Sequence, residues 1–147
     1  MASIVYQIRM GTGLALSVDA NNTNPGGQLI LSTPNNTNPL QIWSVVYYPP
    51  TLANVLFHPQ TGLYAAPTVL SAGSPVVLFK PAANLSFDGA HTWQIVATGP
   101  FAVRPPANID LVLNALGTRW SAGTKVGIWS WGGGQQNEAW TFAPSLA

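Results

Sequence analysis

A tryptophan closes each of three successive copies of one pattern, at Trp43, Trp93 and Trp140, spaced 50 and 47 positions apart. Each copy opens with a short strand of alternating apolar residues, turns, and reaches a second strand that ends near an aromatic residue. It then crosses a polar loop of Asn, Gly and Pro and returns through the tryptophan into another strand. The first copy reads Ile4–Ile8, Gly13–Asp19, Gln28–Leu31 and Gln41–Val46. The second reads Val55–His58, Gly62–Ala65, Pro75–Phe79 and His91–Val96, and the third Phe101–Arg104, Asp110–Asn114, Lys125–Trp129 and Glu138–Phe142. Four short strands per copy leave no room for a useful helix, and 14 Gly and 13 Pro work in the same direction because both interrupt helices. A unit of this size cannot bury a core alone, so the three copies must share one. The expectation is an all-β single domain over 1–147, with four-stranded repeats at about 1–49, 50–98 and 99–147 and the three tryptophans buried at equivalent positions.

Composition narrows the partners. Only 6% of residues are Asp, Glu, Lys or Arg, against roughly 25% in ordinary globular domains. A net charge of +1 with no basic run offers no field for phosphate backbones or anionic lipid, so nucleic acid is not an expected partner. The surface is left to Asn, Gln, Ser, Thr and Gly, which hydrogen-bond neutral ligands without a large ion-desolvation cost. The chain has no cysteine, which rules out disulfides, a thiol nucleophile and a zinc–thiolate site. The first nine residues are too polar for a signal peptide, and no apolar run approaches the roughly 20 residues of a membrane span. The chain is therefore expected to be cytoplasmic or secreted by a non-classical route, without membrane insertion, leaving the sequons at Asn21, Asn35 and Asn84 bare.

Three copies closing on a Gln-x-Trp pattern resemble the ricin-B-like β-trefoil, and the resemblance runs from end to end. Gln41-Ile-Trp43 matches fully, whereas His91-Thr-Trp93 and Glu138-Ala-Trp140 keep the tryptophan and replace the glutamine. The stretch Ala122-Gly-Thr-Lys-Val-Gly-Ile-Trp129-Ser-Trp-Gly-Gly-Gly-Gln-Gln-Asn137-Glu-Ala-Trp140 is similar to the corresponding run in cysteine-free mushroom lectins of that family. The resemblance implies a β-trefoil with pseudo-three-fold symmetry, no cofactor, and binding to galactose or N-acetylgalactosamine on glycoproteins or glycolipids.

A sugar site needs an acid or amide for vicinal hydroxyls, an aromatic face for the apolar side of the ring, and a second amide to fix orientation. The third copy supplies these as Asn114, Trp129 and Asn137, with Asn114 standing where the family has Asp. Gly132, Gly133 and Gly134 would let backbone approach the ligand, and Trp131 or Gln136 would line the rim. Trp129 could instead be a core aromatic. The first copy offers Asp19 with Asn36 and Asn38, but Leu31 stands where the aromatic is expected and Leu40 where the Asn belongs. Asp19 could equally cap a turn. The second copy offers Phe79, Asp88 and His91, with Pro67 or Thr68 at the acid's place, or else a solvated loop over a buried Phe79. Trp43, Trp93, Trp140 and Gln41 read as structural, with Gln41 holding its loop.

The four acids, Asp19, Asp88, Asp110 and Glu138, do not pair across one bond as glycoside hydrolysis requires. His58 and His91 have no plausible acid partner, and no metal-ligand cluster or nucleophile motif is present. A non-catalytic lectin is the expectation, with self-association into a homodimer favoured by the low surface charge. The competing expectation is a β-trefoil protease inhibitor acting through the loops 21–27, 48–52 and 80–90.

Overall fold

The structure, a computed structural model, describes residues 4–83, 86–96 and 101–145. The alternating segments form twelve short strands: β1 Val5–Met10, β2 Ala15–Val18, β3 Leu29–Ser32, β4 Trp43–Tyr48, β5 Ala53–His58, β6 Leu63–Pro67, β7 Val76–Phe79, β8 Gln94–Val96, β9 Ala102–Arg104, β10 Leu111–Ala115, β11 Val126–Ser130 and β12 Trp140–Ser145. Helix among the described residues is confined to three-residue 3-10 turns, Pro39–Gln41, Pro49–Thr51 and Gln136–Glu138.

Six strands close a barrel. β1 pairs with β12 and β4, β4 with β5, and β8 with β9. Bridges at Asn54–Trp93 and Phe101–Trp140 complete the ring between β5 and β8 and between β9 and β12. The other six strands form hairpins, β2–β3, β6–β7 and β10–β11. Each hairpin turn donates to the outer strand of another repeat: Gly26 N–H to Leu78 O (2.8 Å), Gly73 to Ile128 O (2.7 Å) and Gly123 to Leu31 O (2.8 Å). Leu31, Leu78 and Ile128 are therefore equivalent, and strand register extends the equivalence to Leu16, Ala65 and Leu113.

The tryptophans obey the same symmetry. All three are fully buried. Their Nε1–H groups donate to Leu16 O (3.0 Å), Ala65 O (2.9 Å) and Leu113 O (2.9 Å), the three equivalent carbonyls. This fold is a β-trefoil of three four-stranded repeats. The boundary expected at 49/50 falls in the Pro49–Thr51 turn; the one at 98/99, like the Asn84 sequon, lies outside the described residues.

On the pseudo-three-fold axis one side chain serves all three repeats. Gln28 Nε2 donates to Leu29 O (2.7 Å), Val76 O (3.1 Å) and Val126 O (2.8 Å). These carbonyls are symmetry equivalents, two residues before Leu31, Leu78 and Ile128, so an atom within reach of all three sits close to the axis. The equivalent positions Pro75 and Lys125 do not supply this bond. Replacing Gln28 with Met, which keeps length and removes the donor, leaves three inward carbonyls short of a partner. Unfolding in denaturant should show a loss of about 1–3 kcal/mol, and an unchanged midpoint would refute this role.

A second buried polar group makes stability depend on pH. His58 is fully buried, edge-on to Trp43 at 4.7 Å between ring centroids. Its Nδ1 accepts from Thr61 N–H (3.3 Å), which assigns the proton to Nε2, donating to Leu40 O (3.1 Å). A second proton on Nδ1 would face the Thr61 N–H. Burial pushes the imidazole below its ordinary value of 6.5, against the opposing pull of the Leu40 and Pro39 carbonyls. The unfolded chain thus binds the proton first. The contribution of His58 to stability is complete above about pH 6.5 and declines as pH falls from there toward the depressed folded value. The denaturation midpoint should therefore drop between pH 7 and pH 5, and the drop should shrink in His58→Gln.

Candidate functional site

Along β11 the side chains Val126 and Ile128 enter the core, and Trp129 emerges at the outer end of the hairpin, 51% exposed. Its ring rests on Gly73 of the second repeat, where a Cβ would stand 3.3 Å from Trp129 Cζ3 and where φ is +88°. Trp129 is thus a surface aromatic laid across a repeat boundary, which settles the core alternative against burial. Trp131 is 38% exposed. One face of it is occupied, because the Arg104 guanidinium carbon lies 4.7 Å from the ring centroid in a cation–π contact. Arg104 is held there by its Nη1 bond to Ile109 O (2.8 Å).

Two amides share a cleft with these rings. Asn137, in the 3-10 turn before Trp140, is nine-tenths buried, and its Nδ2 donates to Asn114 Oδ1 (3.2 Å) and Ala115 O (3.1 Å). Rotating the amide by half a turn would set oxygen against two oxygens, so the bonding fixes its orientation. That orientation leaves Asn137 Oδ1 buried without a partner. Both amides, with Gly73, Trp129, Trp131 and Gln135, line a cleft of about 610 Å³. Glu138 also lines the cleft, and its carboxylate accepts from the backbone N–H groups of Gly132 (2.9 Å), Gly134 (2.9 Å) and Gln135 (3.1 Å).

The structure brings Asn114, Trp129, Trp131 and Asn137 together and leaves two of the expected third-repeat residues aside. Gly133 and Gln136 do not line the cleft. The 3-10 turn carries Gln136 toward the first repeat, where its carbonyl accepts from Gly11 N–H (3.0 Å). Gly132 and Gln135 take the places expected for these two.

Register also corrects the comparison among repeats. Asn114 pairs with Gly127, Ser17 with Ile30 and Ala66 with Val77, which makes Asn114 equivalent to Ser17 and Ala66 and not to Asp19. The aromatic position of Trp129 corresponds to Ser32 and Phe79, not to Leu31, which is core. In the first repeat Asp19 Oδ1 accepts from Asn21 N–H (3.0 Å) as a turn cap, and Asn38 Oδ1 caps the 3-10 turn at Leu40 N–H (3.0 Å). Asn36 lines a separate groove with Pro39, Ile42, Pro59 and Pro144 that contains no aromatic side chain. Asp19, Asn36 and Asn38 therefore do not assemble around a ring. In the second repeat Phe79, Asp88 and His91 do meet: His91 stacks on Phe79 (4.0 Å, 16°) and its Nδ1 lies 3.1 Å from Asp88 Oδ1. The stack covers a face of Phe79, and Ala66 and Ala90 stand where the third repeat has its two amides. Gln41 is buried as expected, accepting from Asn35 N–H (2.8 Å) and donating to Thr33 O (2.7 Å). Among the described residues no group of three His, Asp or Glu could hold a metal.

The chain matches no protein-family model and no curated protein sequence. Its fold is shared with solved structures. The designed three-fold symmetric protein ThreeFoil superposes with a TM-score of 0.83 at 19% identity, over 95% of this chain and 97% of that one. The Rhizoctonia solani agglutinin gives 0.83 at 16% identity, over 99% and 97%. The Macrolepiota procera ricin B-like lectin, solved in complex with lactose, gives 0.76 at 18% identity, over 97% of each chain. At these identities the likeness establishes the β-trefoil fold.

Three contributors were missed from sequence: Gly73, Arg104 and the role of Glu138. Gly73 had a signal, because Gly26, Gly73 and Gly123 occupy the same turn in all three repeats. For Arg104 there was none, since its contact to Trp131 spans 27 positions and two strands. The different burial of the tryptophans yields a direct check. Trp129→Ala should change stability by about 0.5 kcal/mol or less, whereas Trp140→Ala should lose about 3–5 kcal/mol. Equal losses in thermal denaturation would return Trp129 to the core.

Proposed function

We propose that the chain is a non-catalytic sugar-binding protein, a lectin for glycans ending in galactose or N-acetylgalactosamine, and that the third-repeat cleft is its site. The observation that carries this reading is the orphaned Asn137 Oδ1 on a residue that shares its cleft with an exposed tryptophan. An unpaired buried acceptor costs about 1–3 kcal/mol, which a donor hydroxyl would recover once a small shift of the cleft wall uncovers it. Trp129 offers the ring face that covers the apolar side of a pyranose, and an axial 4-hydroxyl leaves one such face uninterrupted. Trp131, already covered by Arg104, supplies an edge more than a platform. The fold shared with an agglutinin and with a ricin B-like lectin solved with lactose supports the same reading.

Hydrolysis is a poor use of these groups. Glu138 is engaged by three backbone N–H groups of its own loop, and Asp19 and Asp88 cap turns in other repeats. A single small site of this kind implies a dissociation constant from millimolar to tens of micromolar, about 4–6 kcal/mol. Agglutination of cells would then require a homodimer or further sites.

A second reading, inhibition of a protease through a loop, has one observation in its favour. Leu52 is 73% exposed at a Tyr48-Pro-Pro-Thr-Leu52 tip and holds a left-handed backbone, φ 54°. Strain of that kind in a displayed apolar residue accompanies binding loops. The two readings separate on addition of free sugar, which competes with glycan binding and leaves inhibition untouched.

Titration calorimetry with lactose and N-acetylgalactosamine, alongside a glycan array, tests the proposal. Trp129→Ala and Asn137→Ala should each weaken binding at least tenfold, and Asp19→Ala should leave it within twofold. Binding confined to mannose or chitin fragments would overturn the specificity. Full binding by Trp129→Ala with loss in Asp19→Ala would move the site to the first repeat.

A further inference from the structure

One position of the trefoil carries three chemically different side chains. Gln41, His91 and Glu138 are equivalent, each two residues before its core tryptophan. Each holds its own loop in its own way. Gln41 both accepts and donates, taking Asn35 N–H (2.8 Å) while giving to Thr33 O (2.7 Å) and Ser32 Oγ (3.2 Å). His91 stacks on Phe79 and faces Asp88. Glu138 only accepts. Its Oε1 takes the N–H groups of Gly132, Gly134 and Gln135, and its Oε2 takes Gly132 again at 3.0 Å.

We infer that Glu138 is a positioning residue for sugar recognition: its carboxylate folds the Gly132–Gln135 loop into a nest of inward N–H groups that fixes Trp131 and Asn137 at the two ends of the loop. The inference rests on the third-repeat cleft being the sugar site. A run of three glycines is among the most costly segments of a chain to order. Such a loop needs a strong internal partner, and ionised acceptors form stronger bonds to backbone N–H than neutral ones. The left-handed conformations of Gly133 and Gly134, φ +88° and +95°, give the convergence of N–H groups that suits an anion. Contacts leave little slack. A Cβ on Gly132 would stand 3.1 Å from Glu138 Oε1, and one on Gly134 would stand 3.5 Å from Trp131 Cη2. The loop is thus pressed between the carboxylate and the ring that borders the cleft. If the carboxylate let go, ligand binding would have to order the loop as well, and that ordering cost by itself would lower the affinity.

This also explains why the tryptophan motif departs from glutamine in this repeat alone toward an acid. A glutamine here would set an NH2 donor where Oε2 now accepts from Gly132. The glutamine of the first repeat works because its loop presents a carbonyl, Thr33 O, as well as an N–H.

The test combines amide hydrogen exchange with calorimetry on the full chain. In the wild type, the amides of Gly132, Gly134 and Gln135 should be protected although their residues are exposed, and Gly133, which Glu138 does not hold, should exchange quickly. Glu138→Gln should speed exchange at those three amides at least tenfold and weaken lactose at least fivefold, with the exchange of barrel amides such as Ile8 and Phe142 unchanged. A merely structural role would instead loosen the barrel together with the loop. Should Glu138→Gln not fold, Gly133→Ala strains the loop at a residue whose added Cβ meets nothing within 4 Å, and it should weaken lactose by a similar factor. Unprotected wild-type amides, or unchanged lactose affinity in the folded variants, would overturn the inference. If the wild type binds no glycan, the reading of the cleft fails and the positioning role with it. The exchange pattern then still reports whether the clamp exists.

Discussion

Three backbone carbonyls, of Leu29, Val76 and Val126, converge where the three hairpins meet, and a donor common to all of them ties the repeats together. Gln28 Nε2 does so with two protons shared among three acceptors. Around this point the hairpins are linked in a cycle through Gly26, Gly73 and Gly123, each donating to the next repeat. Deeper in the core the indole N–H groups of Trp43, Trp93 and Trp140 tie each repeat to itself, each donating to a second-strand carbonyl of its own repeat. Each indole is thereby both the largest apolar filler of its repeat and the partner of a carbonyl that has no water to turn to. A tryptophan fits this position because it alone joins that volume to a single donor.

A three-fold frame with one keystone side chain is already asymmetric, and the surface is more so. At the three places that make up the cleft the third repeat has Asn114, Trp129 and Asn137, where the first has Ser17, Ser32 and Leu40 and the second has Ala66, Phe79 and Ala90. The backbone is shared and the chemistry is not. In the second repeat the loss of both amides leaves an aromatic that finds a partner in His91, closing the surface on itself. Among the described residues, only the third repeat has an exposed ring and an unpaired side-chain acceptor on residues lining one cleft.

With so few ionisable groups, the buried ones are used for local order. Glu138 organises a glycine loop, and His58, held neutral by burial, ties the turn after β5 to the 3-10 turn before Trp43 through Thr61 and Leu40 O. Among the described residues neither has a counter-ion, and backbone groups supply most of their hydrogen bonds.

The sequence by itself determined the trefoil and the three buried tryptophans. Strand alternation, turn residues and the spacing of Trp43, Trp93 and Trp140 are local or periodic signals, and such signals survive in one dimension. It also placed Trp129 and Asn137 together, since both flank the same loop, and both line one cleft. Tertiary structure decided the rest. Asn114 and Asp19 look alike when each is counted from its strand, but a shift of two residues in register separates them, and register depends on cross-strand pairing. Asp19 became a turn cap, Leu31 became core in place of the expected ring position, and Gln136 turned away from the cleft because the 3-10 turn directs it at Gly11. Gly73 and Arg104 reach the site from other strands and another repeat. Which acceptor stays unpaired, and which face of a tryptophan stays free, are properties of how distant residues pack, and the order of residues along the chain does not encode them separately.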